Sequence, residues 1–372
     1  MDCCGKQELL SETRKTQGRN DAVDLLKILC MIYVVIIHID IYSLDSSALA
    51  VRSFPYWFVN ASSTLSMVAV NCFVLISGYY MSQSRIKPRK LVSLWIQVET
   101  YSVGLYLASC LLGLNGGFSL KMLIRFACPL LTSQYWFFTI YFLLMLVSPL
   151  LNVLVKNLTK EQYQKALLLL FIVFSVLPTI NIFGDQFGTR NGFSLVWFMV
   201  LYLIAGYIRK YGIRKYRYGM AYLGICGMTL LIKAVCDLLS DRFPLCNIVV
   251  DLLYIYNSVF MLAASVCLFA FFLNVNLQLR PAAQKVIGAV SGVSFGIYLW
   301  HEHPDVKGWL WSRYVDLSDY VGKPVEFALR AVAALVLIVL VGLAIEFIRK
   351  PVQLCGENII MKVAGKNKKE IP

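Results

Sequence analysis

Long apolar runs follow one another along the chain, separated by short polar breaks. A helix needs roughly 20 mainly apolar residues to cross the hydrocarbon layer of a bilayer. By that measure the runs predict about ten spanning helices. They lie near residues 25–44, 58–80, 91–113, 136–155, 165–182, 194–210, 219–240, 250–273, 286–303 and 328–348. The segments are apolar nearly all round, as expected when the outer face of a helix meets lipid instead of water. A spanning barrel would show alternating segments of about ten residues instead. The expected fold class is therefore all-α, a polytopic membrane helix bundle.

Composition strengthens this reading. Of 372 residues, 59% are hydrophobic and 15% charged, against roughly a quarter charged in soluble domains. Charge then orients the bundle, because Lys and Arg collect in cytoplasmic loops. With the N-terminus inside, the inner loops hold Arg85, Lys87, Arg89 and Lys90, then Lys156, Lys160 and Lys165, then Arg209, Lys210, Arg214, Lys215 and Arg217. Both termini are thus expected to be cytoplasmic. Residues 1–20 read as a tail, 21–350 as the membrane domain and 351–372 as a basic C-terminal tail. The net charge of +14 belongs to the inner membrane face and its lipids, and no nucleic-acid motif accompanies it. The first twenty residues are polar and the run after them is long enough to stay as a span, so no cleaved signal is expected. The eleven cysteines show no zinc spacing and read as small buried hydrophobes.

Polar residues that survive inside apolar spans are the first place to seek function. His38 lies in the middle of the first run, in VVIIHID. It follows Lys27 by eleven residues, or about 16 Å of helix, which puts the imidazole near the bilayer midplane. A neutral histidine there either exchanges a proton near neutral pH or holds two helices together. Asp40, two residues on, points off the same face. His301 and His303 flank Glu302 at the end of the ninth run. No further Cys or His accompanies them, so no metal is expected, and His301 is read as lining an acceptor entrance or capping the span. Gly288, Gly292 and Gly296 form a stripe that lets another helix approach closely.

Four stretches carry a resemblance. RNDAVDLLKILCMIYVVIIH (Arg19 to His38), FVLISGYYMSQSRIKPRKLVSLW (73–95), QYWFFTIYFLLMLVSPLLN (134–152) and VSFGIYLWH (293–301) occur in order over nearly the whole chain. Together they resemble the acyltransferase-3 family of integral membrane proteins. The resemblance implies transfer of an acyl group, by default acetyl, from cytosolic acyl-CoA to a hydroxyl of a glycan or glycolipid precursor. His38 would be the general base. Lys27, Arg85, Arg89 and Lys90 would meet the donor's phosphates, although Arg85 and Arg89 are four apart where the family carries two arginines three apart. Asp24, Trp136, Tyr141, Tyr298 and His301 would line the substrate path. Asn71 stands where many relatives have an acidic residue. No bound cofactor is implied, and the expected location is the cell membrane, the inner one in a bacterium. The rival reading is a sugar-lipid transporter with His38 as a proton relay. It lacks support from any duplicated half or matched pair of interrupted spans.

Overall fold

The computed structural model describes residues 20–45, 49–84, 87–184 and 188–367. Among them there is no strand; every regular element is helical. The helices are α1 (Asp21–Tyr42), α2 (Phe54–Ser66), α3 (Ala69–Met81), α4 (Pro88–Leu111), α5 (Leu120–Phe126) and α6 (Trp136–Asn157). They continue with α7 (Lys160–Phe171), α8 (Leu177–Ile180), α9 (Leu195–Tyr211), α10 (Tyr218–Leu239), α11 (Leu245–Tyr254) and α12 (Val259–Asn274). The last are α13 (Pro281–Ser291), α14 (Phe295–His301), α15 (Pro304–Arg313) and α16 (Pro324–Asn367).

All ten apolar runs appear as helix. Eight stretches are long and apolar enough to cross a membrane: α1, α2–α3, α6, α7–α8, α10, α11–α12, α13–α14 and the Pro324–Pro351 part of α16. The runs at 91–113 and 194–210 are α4 and α9. The first carries Arg89, Lys90 and Glu99, and the second is only 17 residues long. Several runs are broken where the sequence reading has one helix. Between α7 and α8 lies a π-helical turn, Ile172–Val176. Pro178 has no N–H to offer the carbonyl of Phe174, four residues earlier. The side-chain amide of Asn257 donates to that carbonyl instead, at 3.0 Å. α16 also runs straight through residue 351, where the sequence suggested that the span gives way to a tail.

Helix starts follow local chemistry. Asn20 accepts hydrogen bonds from the N–H groups of Ala22 and Val23, and Thr159 with Gln162 forms a reciprocal capping box. Each satisfies donors that a new helix leaves open.

Spans alternate in direction, which gives the bundle two ends. The start of α1 shares one end with the α3–α4 turn and the C-terminal half of α16; here it is called the basic end. Glycines fix the helices that matter for the site. A Cβ on Gly78 would lie 2.9 Å from the Cα of Tyr202, so α3 and α9 nearly touch. A Cβ on Gly342 would lie 2.8 Å from Nε1 of Trp300, so α14 beds against α16. Gly296 carries the packing that its stripe predicted, because the Glu346 side chain lies directly over it. Arg349 donates to both carboxylate oxygens of that buried Glu346 at 3.0 and 2.8 Å, and Gln97 adds a third bond at 2.9 Å. A bidentate pair satisfied in this way fixes geometry more than it adds stability. It ties α14 to α16 and α4.

Candidate active site

His38 sits in the fifth turn of α1 and His301 at the last residue of α14. Nδ1 of His38 is 2.8 Å from Nε2 of His301. The protons of the pair can be assigned from the far end. Nδ1 of His301 faces the carbonyl of Ile297, and a carbonyl only accepts. Nδ1 of His301 therefore carries the hydrogen, and its Nε2 has the lone pair. His38 must then donate from Nδ1, which leaves Nε2 of His38 as an unprotonated base. Nε2 makes no hydrogen bond among the described residues.

The two rings differ in exposure. His301 is fully buried, whereas the His38 side chain retains 12% of its surface. His38 opens on a cavity of about 290 Å³ whose walls include Phe73, Trp136, Tyr256 and Tyr298. His301 does not line that cavity; it stands behind His38. The Tyr298 hydroxyl is buried and makes no hydrogen bond of ordinary geometry. Trp136 stacks on Tyr256 and packs at a tilt against Phe193, with ring centroids 6.2 and 4.6 Å away.

Two charged residues that the sequence reading did not assign complete the surroundings. Oε1 of Glu302 lies 3.7 Å from Nδ1 of His38. Its other oxygen meets Nζ of Lys307 at 3.3 Å, and Lys307 also lies over the Tyr42 ring, 3.7 Å from its centroid. Glu302 is thus held between an imidazole and an ammonium group. A charged residue between two histidines at the end of an apolar run was the available signal for it.

His38, His301 and Glu302 bring potential metal-ligating atoms within 4.8 Å of one another. The 2.8 Å contact between the rings, however, is a hydrogen-bond length. Two imidazoles each about 2.0–2.1 Å from a tetrahedral zinc would stand further apart. The arrangement fits a shared proton. His303 belongs to the frame: its Nε2 meets the Ser102 carbonyl at 3.0 Å, and its Nδ1 caps α15 by accepting from the Asp305 N–H. Asp40 also turns away from His38 and accepts from Ser62 and Ser63 at 2.8 and 2.7 Å.

A second cavity, of about 440 Å³, opens at the basic end and is lined by Asp24, Lys27, Lys90 and Tyr141. Asp24 pairs with Lys27 at 3.0 Å and accepts from Ser291 at 2.8 Å. Arg89 is exposed on the first turn of α4 and does not line the cavity. Arg85 lies outside the described residues, as does the tail before Asn20. Asn71 takes a structural part, donating to the Tyr256 carbonyl and accepting from the Trp197 indole.

Fold and site together define a multi-pass membrane protein with a hydrogen-bonded pair of histidines beside a cavity between its helices. The family model described as an acyltransferase domain, that of the acyltransferase-3 family, matches residues 20–347. The chain belongs to that family and is a membrane acyltransferase. Neither the curated proteins nor the solved structures contain a match.

Proposed function

We propose that this enzyme O-acetylates a glycan or glycolipid precursor, taking the acyl group from cytosolic acyl-CoA. The observation that carries the reading is the proton order of the histidine pair, which leaves Nε2 of His38 free beside a cavity. The acceptor hydroxyl gives its proton to that nitrogen as its oxygen attacks the thioester carbonyl. The tetrahedral intermediate collapses with cleavage of the C–S bond. The thiolate recovers the proton from His38 and leaves as the thiol. The products are the ester and free CoA, and the base is regenerated. General base catalysis of this kind is worth roughly 10²–10⁴ in rate.

His301 orients the ring, and Glu302 faces the positive charge that forms on it. The unbonded Tyr298 hydroxyl is the candidate donor to the developing oxyanion. Trp136, Phe193 and Tyr256 offer flat apolar faces suited to the C–H surface of a sugar ring. Its lysines and arginines support a cytoplasmic position for the basic end. Lys27 and Lys90 would meet the donor's phosphates there. An apolar-walled transfer cavity with a charged mouth suits a donor that has a charged head and an uncharged thioester.

The test uses membranes containing the wild-type chain, the His38→Ala chain or no expressed protein. They are given radiolabelled acetyl-CoA and envelope glycans. Base-labile label that needs the protein and disappears with His38→Ala supports the reading. Labelling equal to that of empty membranes, with folded protein present, rejects acetyl transfer to those glycans. Impermeant thiol labelling of Ser84→Cys and Ser318→Cys checks orientation. Reaction of both from one side would refute it.

A further inference from the structure

The cavity beside Lys27 and the cavity beside His38 are lined by successive turns of the same three helices. On α1, Lys27 lines the first and Met31 the second; on α3 these are Ser77 and Phe73; on α6, Tyr141 and Phe137. Each pair is four residues apart, about one helical turn. The two cavities thus form one groove, divided at a single level.

The division is made by side chains. The hydroxyls of Tyr141 and Ser77 are 3.1 Å apart, and Ser77 lies 2.8 Å from the Phe73 carbonyl. Since that carbonyl only accepts, Ser77 donates to it, and the hydroxyl of Tyr141 donates to Ser77. The Tyr141 ring stacks on Phe137, with centroids 5.6 Å apart and planes 11° apart. Around this level the lining is apolar: Met31, Phe73, Ile76 and Met145. Two hydroxyls are tolerated in such a stretch because each is paired.

We propose that Ser77 and Tyr141 bind the amide-bearing arm of the donor thioester, exchanging their mutual hydrogen bond for bonds to its amides. The proposal rests on the acyl-CoA reading above. A donor of that class has its charged nucleotide at one end, two amides along its arm and the thioester at the tip. With the nucleotide at Lys27 and the thioester at His38, the arm covers the eleven-residue separation between them, about 16 Å. Its amides must then pass through the apolar stretch, where they would lose water without replacement. The hydroxyl pair supplies partners at that level. No group is left unpaired in either state, since the hydroxyls satisfy each other when the arm is absent.

The experiment measures binding by calorimetry on the full-length protein in detergent, with coenzyme A and with adenosine 3′,5′-bisphosphate, which lacks the arm. Tyr141→Phe keeps the ring on Phe137 and deletes the hydroxyl; Ser77→Ala removes its partner. Each variant is expected to bind coenzyme A about three- to tenfold more weakly, the range for one neutral hydrogen bond. The bisphosphate should bind the variants as it binds the wild type. Unchanged coenzyme A affinity in both variants overturns the assignment, and so does an equal loss for both ligands. A wild-type protein that binds neither ligand removes the acyl-CoA reading itself, and this assignment with it.

Discussion

His301 is the residue whose replacement best separates a positioned base from a histidine that merely packs. In His301→Leu a fully buried ring that accepts from Nδ1 of His38 at 2.8 Å becomes a side chain of similar bulk with no acceptor. His38 then has nothing to fix which nitrogen carries its proton, other than Glu302 at 3.7 Å. A hydrogen bond to a group that becomes charged is worth about 1.5–3 kcal/mol. At about 1.4 kcal/mol per tenfold in rate, kcat should fall roughly 10- to 150-fold. The donor KM should stay put, because His301 stands behind the base and outside the cavity. His301→Gln restores an acceptor at similar reach and should recover most of the loss. The assay is initial-rate acetyl transfer across both substrates, with thermal melting to show that each variant is folded. A folded His301→Leu with unchanged kcat would refute the argument, as would a Gln variant no better than Leu.

Other consequences are equally direct. Gly296→Ala would drive a Cβ into the Glu346 carboxylate. It should lower stability by about 1–3 kcal/mol and disturb activity, whereas Gly104→Ala, with nothing within 4 Å, should not destabilise. Equal melting of the two variants would count against the Glu346 contact. Lys27→Ala combined with Lys90→Ala should raise the donor KM severalfold, an effect that shrinks as salt screens the charges. A KM indifferent to both would remove the basic cavity from donor binding.

Much of this was legible from the chain alone, for physical reasons. Span positions follow from the length of apolar sequence a bilayer demands, and Pro178 or Gly292 alter how a span is built without moving it. His38 stands out because a polar ring in an apolar run is costly enough to need a reason. Its pairing with His301 did not stand out. His301 is 263 positions away, and no periodicity links two helices that meet only on folding. The motif pointed to His301 as a residue of the substrate path, and the packing of α14 on α16 sets its ring against His38, outside the lining of the cavity. Glu302 and Lys307 were missed because charges at the end of a span usually read as interfacial. Basic loops mark an end of the bundle but do not rank their members: Lys90 lines the cavity, and Arg89, its neighbour, does not.

The carbonyl of Ile297 at the end of the histidine pair has an electrical consequence. A peptide oxygen can hold a hydrogen bond but cannot take a proton onward, so the pair is a blind alley with one door, at Nε2 of His38. A proton admitted there must leave by the same door. Each catalytic cycle therefore moves no net charge through the histidines from one face of the membrane to the other. An enzyme built this way should turn over at the same rate in energised vesicles and in vesicles whose proton gradient has been collapsed.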